Sequence, residues 1–149
     1  MNKTTEKFVL GIMKGQPDLT LATLREDGWP QANTVSYAHD GLTIIFGADA
    51  NSQKVKNIRY CNKVSLTINS EYEDWEHIKG LSMAATAQIL TRPAEVKRAA
   101  ACLLKRFPEA AAWVDSDAAE GMVFVKLTPI LVSVLDYTKG FGHTNLVTV

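Results

Sequence analysis

Apolar and polar positions change period several times along the chain. Phe8, Val9, Ile12 and Met13 recur at i, i+1, i+4 and i+5, which predicts an amphipathic helix capped by Thr4 or Thr5 and ended by Gly15 and Pro17. A short β-prone run follows, Leu19 to Leu24. The turn dipeptide Asp27-Gly28 comes next, and a returning strand QANTVSY begins after Pro30. A second Asp-Gly pair, Asp40-Gly41, precedes a third strand over Leu42 to Gly47, so these three runs predict an antiparallel meander.

Val55 and Ile58 then fall at helical spacing on a short segment. In KVSLTIN, Val64, Leu66 and Ile68 alternate with Ser65, Thr67 and Asn69, the pattern of a half-buried strand. SEYEDWEH reads as an acidic loop, and Gly80 to Leu90 as a long strand rich in small residues. The clearest helix is RPAEVKRAAACLLKRF. Pro93 stands at its start, Val96, Ala99, Ala100, Leu103, Leu104 and Phe107 form one face, and Pro108 breaks it. PEAAAWV adds a short helical turn. MVFVKLTPILVSVLDY predicts two strands parted by Thr128-Pro129, with a tail TKGFGHTNLVTV beyond. Six or seven antiparallel strands with flanking helices favour a small, mainly β barrel over a βαβ fold. Neither GxGxxG nor GxxxxGK[ST] occurs.

Composition bounds the function classes. The chain of 149 residues suggests one domain spanning 1–149. Lys plus Arg balances Asp plus Glu at 16 each, so no global field draws in nucleic acid or an anionic membrane. No apolar run approaches the roughly 20 residues of a membrane span, and the N-terminus lacks a signal-peptide core. Cys61 and Cys102 read as buried free thiols, and a cytoplasmic location is expected.

Against this balance, residues 48–68 stand out. Lys54, Lys56, Arg59 and Lys63 occur with no acid between Gln53 and Glu71. Ser52 lies where a strand ends and a helix begins, where exposed backbone N–H groups attract phosphate. Ser52 and Lys54 can converge on one anion through charge-assisted bonds. Equally, Ser52 can be a helix cap and the cations a solvated face.

No acid–base or nucleophile constellation is visible. His39, His77 and His143 read as exposed turn histidines, His143 being the least ordinary because it follows Phe141 and Gly142. Glu71, Glu73, Asp74 and Glu76 read as a solvated loop, and no metal-ligand spacing is present. A possible phosphate grip without catalytic side chains suits a cofactor that brings its own reactivity.

The run LTLATLREDGWPQANTVSYAHDGLTIIFGADANSQKVKNIRYCNKVSLTI, Leu19 to Ile68, resembles the N-terminal half of the pyridoxamine 5'-phosphate oxidase-like family, the FMN-binding split barrels. It is most similar to the short bacterial members called general stress proteins. The likeness continues loosely through GLSMAATAQIL and the closing strands around Pro129. It implies a six- to seven-stranded split β-barrel, a homodimer with FMN at the interface, and oxidoreductase chemistry with a small-molecule electron donor or acceptor. By that resemblance, Ser52, Gln53 and Lys54 hold the flavin phosphate. Asn33, Thr34, Val35 and Ser36 line the ring and ribityl chain, Gly47 and Ala48 admit the cofactor to the third strand, and Asn57 orients the loop.

The sequence also departs from the family. Asn33 stands where the oxidases have a phosphate-gripping arginine, Ala38 stands at a lysine position, and the tail lacks the Arg-x-His substrate grip. Pyridoxamine phosphate is therefore not the expected substrate. The alternative is a non-catalytic cofactor-binding or stress-related module that holds flavin or, as some family relatives do, haem or deazaflavin F420. Lys56 and Arg59 are the extra cations F420 would need, and His143 is the one candidate haem ligand.

Overall fold

The computed structural model describes residues 1–114 and 116–149. Helix α1 (Lys3–Gly15) buries Val9, Ile12 and Met13, as its spacing predicts. Its cap is Asn2, however, and not Thr4 or Thr5: the Asn2 side chain accepts from the Thr5 N–H at 2.8 Å, and both threonines lie inside the first turn.

Strands β1 (Asp18–Leu24) and β2 (Pro30–Ser36) pair across the Asp27-Gly28 turn, where Gly28 takes φ +89°. The chain then runs through Tyr37 into β3 (Ala38–Asp40), turns at Gly41 and returns as β4 (Thr43–Asp49). Here the predicted meander is corrected. β4 pairs with β3 and with a strand from the far end of the sequence, never with β2. Period and turn chemistry show where strands lie but not which edge each one joins.

Helix α2 (Gln53–Tyr60) and strands β5 (Lys63–Asn69) and β6 (Lys79–Ile89) follow. After them come α3 (Pro93–Arg106), the single turn α4 (Ala111–Val114), β7 (Met122–Asp136) and β8 (Thr144–Thr148). The two runs expected around Thr128-Pro129 are one strand, β7. Ala84 pairs with Leu131 and Ala85 with Pro129, so Ile130 is the extra residue of a bulge. A bulge lets a proline without an N–H stay in a paired strand. The glycine-rich tail is also structured: Gly140 (φ +133°) and Gly142 (φ +77°) reverse the chain so that β8 pairs with β7. Among the described residues the sheet therefore has eight strands, seven along its main path and β8 beside β7.

The sheet order is β2-β1-β5-β6-β7-β4-β3, with β8 alongside β7. The two ends of that order, β2 and β3, are separated in sequence by Tyr37 alone. One chain segment thus forms both edges, and the antiparallel sheet curls into a split barrel. Tyr37 is fully buried at the join, and its hydroxyl donates to the Met13 carbonyl at 2.8 Å. Leu19, Leu21, Ile44, Phe46, Leu66, Ile68, Leu81, Met83 and Leu127 fill the interior with Val55 and Ile58 of α2. A smaller cluster of Ile45, Leu90 and Ala99 lies under α3 on the outer face of β4. Cys61 and Cys102 are free and half-buried, less enclosed than expected. Among the described residues no helix is long and apolar enough to cross a membrane.

Candidate functional site

The basic stretch lies where β4 leaves the sheet. Asp49 organises the turn: its side chain accepts from the Asn51 N–H at 2.7 Å and its carbonyl from the Ser52 N–H at 3.0 Å. The Ala50 N–H donates to the Gly121 carbonyl, which fixes the turn to the start of β7. Ser52 then occupies the N-cap position of α2, but its hydroxyl does not cap the helix. It donates back to the Asp49 carbonyl at 2.7 Å. Among the described residues, no hydrogen bond reaches the N–H groups of Gln53, Lys54 or Val55, so the first turn presents three open donors.

The cations follow the same pattern. Lys54 is half-buried, while Lys56 and Arg59 are exposed. The ion pairs among the described residues are Arg25–Asp27 and His77–Asp74, so none of these three carries an acidic partner. Arg59 donates to the Ala50 carbonyl at 3.2 Å and braces the turn from the far end of α2. The turn therefore combines open N–H donors with a hydroxyl and a lysine on adjoining residues, the donor types of an anion cradle. For Ser52 to donate to an anion, its hydroxyl must exchange the bond to Asp49.

Gln53 and Asn57 have a different place. Asn57 is 1% exposed, between Val55 and Ile58 on the inward face of α2. Its amide nitrogen donates to Thr23 Oγ1 at 3.0 Å and Gln31 Oε1 at 3.1 Å, and its oxygen accepts from Gln53 Nε2 at 2.8 Å. This network joins α2 to both β1 and β2. Thr23 and Gln31 were missed in the sequence, although the i, i+4 spacing of Gln53 and Asn57 and the inward phase of Asn57 pointed to a partner.

On β2, alternation divides the four candidate residues. Val35 packs against the core and Asn33 shares its face, while Thr34 and Ser36 are exposed on the other. The Ser36 hydroxyl donates to Asp18 Oδ1 at 2.7 Å. Among the described residues β2 pairs with β1 alone, so its other backbone edge is open. On β4, Ala48 turns into the core and Gly47 turns outward. A Cβ on Gly47 would meet Met122 and Phe124 at 3.8–3.9 Å, ordinary contact, so the fold itself does not demand glycine there.

The histidines are less uniform than expected. His39 lies half-buried in β3, where Nδ1 is 2.9 Å from the Gly41 carbonyl. His77 is exposed but paired, its Nδ1 2.6 Å from Asp74 Oδ1. The bond to His77 holds the Asp74 carboxyl below its ordinary range. His143 is exposed in the β7–β8 turn, next to an aromatic group in which Phe141 packs against Tyr137 and Trp75 at ring separations of 5.4 and 6.2 Å. Among the described residues no group of His, Cys, Asp and Glu is gathered for a metal.

Comparison with known proteins fits this architecture. The model of the family described as pyridoxamine 5'-phosphate oxidase matches residues 5–136. The chain belongs to that family. No curated protein matches it. Among solved structures, it superposes on a heme binding protein from Mycobacterium smegmatis with TM-score 0.81 at 20% identity, over 99% of this chain and 59% of that one. This member of the family thus spans about three fifths of that protein's length. The heme storage protein HutZ from Vibrio cholerae matches with TM-score 0.71 at 16% identity, over 96% of this chain and 93% of that one. General Stress Protein 26 from Bacillus anthracis matches with TM-score 0.72 at 15% identity, over 97% of this chain and 98% of that one. At these identities the likeness is one of fold, and the family's site must be judged on this chain's residues.

Proposed function

We propose that this chain is a flavoprotein that binds FMN between the N-terminus of α2 and the open edge of β2, and serves as an FMN-dependent oxidoreductase. The observation that carries this reading is the turn at residues 49–55. Three unpartnered N–H donors, the Ser52 hydroxyl and the unpaired Lys54 suit a phosphate monoester. The exposed edge of β2 suits a planar ring that hydrogen-bonds along its rim. Bound there, FMN supplies hydride chemistry, and the protein's part is to hold and orient it. Asn57 and Gln53 act indirectly, by fixing α2 against β2. Asn33 in place of a phosphate arginine leaves Lys54 the main charged anchor.

The cofactor-bearing form is proposed to be a homodimer that meets a small-molecule electron donor or acceptor. The outward face of the sheet supports self-association. Ala22, Ser65 and Ala84 are successive cross-strand partners there, and Leu24 and Ile130 expose apolar surface beside them. Light scattering from the purified chain is expected to give twice the 16.4 kDa of one copy. Free Cys61 and Cys102 suit a reducing cytoplasm. FMN titration tests the central reading: saturable binding that weakens in Lys54→Ala supports it, and the absence of any uptake overturns it.

A second reading, haem binding without turnover, draws on the likeness to heme-binding and heme-storage structures. Exposed Trp75 and Phe141, packed with half-buried Tyr137 beside His143, offer an apolar wall and a ligand. A Soret band that appears on adding haem and is lost in His143→Ala would favour it over the flavin reading.

A further inference from the structure

A cleft of about 560 Å³ lies between α3 and the outer face of β3, β4 and β7, and shares no lining residue with the turn at Ser52 and Lys54. That volume falls in the range of small-molecule sites, roughly 300–1,000 Å³. Its floor is apolar: Ile45, Leu90 and Ala99 are all at least nine-tenths buried, and Cys102 adds a half-buried wall. Its rim is charged. Arg98 and Lys105 come from one face of α3, and Lys126 rises from β7 beside its cross-strand partner Ile45.

Five charged groups thus face one cavity, the three cations with Asp40 and Glu95, and none pairs with another within 4 Å among the described residues. Counted over its lysine, arginine, aspartate and glutamate side chains, the lining carries one surplus positive charge. We propose that this cleft binds a small amphipathic monocarboxylate, its apolar tail on the Ile45–Leu90–Ala99 floor and its carboxylate among Arg98, Lys105 and Lys126. The surplus of one charge selects a monoanion over a dianion, because Asp40 and Glu95 repel a second negative charge. Cys102 serves as part of the apolar wall: burial and then Asp40 push its thiol above the ordinary value, which slows its alkylation without abolishing it.

Cys102 also supplies the test, because it lines the cleft and Cys61 does not. The labelling rates of both thiols by N-ethylmaleimide are followed by mass spectrometry, with decanoate as probe below its micelle concentration and decanol as its uncharged match. Decanoate at about ten times its Kd is expected to slow labelling of Cys102 roughly tenfold by occupancy, with Cys61 unchanged. The double variant Arg98→Glu, Lys105→Glu, at two exposed positions, is expected to lose that protection. Protection that is absent, that decanol matches, or that survives in the double variant would overturn the proposal.

Discussion

Asn57 on α2 donates to the buried Thr23 hydroxyl on β1 at 3.0 Å, and with the same nitrogen reaches Gln31 on β2 at 3.1 Å. One side chain thereby fixes the approach of the α2 N-terminus to the β1–β2 hairpin. Asn57→Ala removes it and strands the partners of a buried network, at a cost of about 2 kcal/mol. Thermal denaturation followed by circular dichroism is expected to show Tm lowered by about 4–8 °C. An unchanged Tm would mean the network contributes nothing to holding α2.

The anchoring turn makes a graded prediction. Lys54→Ala removes a charge-assisted contact of about 1.5–3 kcal/mol and is expected to weaken FMN binding by about ten- to a hundredfold. Lys56→Ala, at an exposed position one residue-face away, is expected to change it less than about threefold. Isothermal titration of the two variants compares them directly. Equal losses would point to a diffuse basic face instead of a built cradle.

Arg106 ties α3 to the barrel join. Its guanidinium stands 4.7 Å from the Tyr37 ring centre, and its Nη2 donates to the carbonyls of Met13 and Gln16 at the end of α1. Arg106→Ala is expected to cost about 2 kcal/mol, from lost stacking and lost charge-assisted bonds. Urea unfolding measures it, and a midpoint equal to the parent protein's would contradict this role. One opposing contribution exists: Nη1 is buried without a partner, so the net loss stays below the sum of the contacts.

Asp136 gives a pH dependence. Burial pushes its carboxyl up, but bonds from the Thr138 hydroxyl at 2.6 Å and N–H at 3.2 Å, with Lys79 and Lys139 nearby, bring the net value below the ordinary one. A folded-state value below the unfolded one contributes stability above about pH 4, and that stability is lost as pH falls through the folded value. Asp136→Asn is therefore expected to flatten the acid side of the stability profile while lowering stability at neutral pH. Unfolding midpoints from about pH 3 to 7 decide it, and parallel profiles for the two proteins would contradict it.

The elements were legible in the sequence because their signals are local. Asp27-Gly28 and Asp40-Gly41 set the turns, the alternation of KVSLTIN set β5, and Pro93 with its apolar face set α3. The pairing of β4 with β7 was not legible, because nothing within Thr43–Asp49 encodes a partner some eighty residues later. The unity of β7 was hidden by Pro129, whose missing N–H is absorbed by a bulge that only the pairing with β6 reveals. At the candidate site, the passage from a strand into a short helix at Ser52–Lys54 was legible, and α2 begins there. The Ser52 bond to Asp49 and the Thr23–Gln31 partnership of Asn57 depend on chain segments meeting in space, and the one-dimensional pattern carries no trace of them.

The most direct test is titration of the purified protein with FMN, followed by the change in flavin absorbance and fluorescence. Saturable uptake of one FMN per chain is expected, weakened at least about tenfold in Lys54→Ala. A parent protein that takes up no FMN, or a Lys54→Ala variant that binds it as tightly as the parent, would contradict the claim that the turn at Ser52 and Lys54 holds the flavin phosphate.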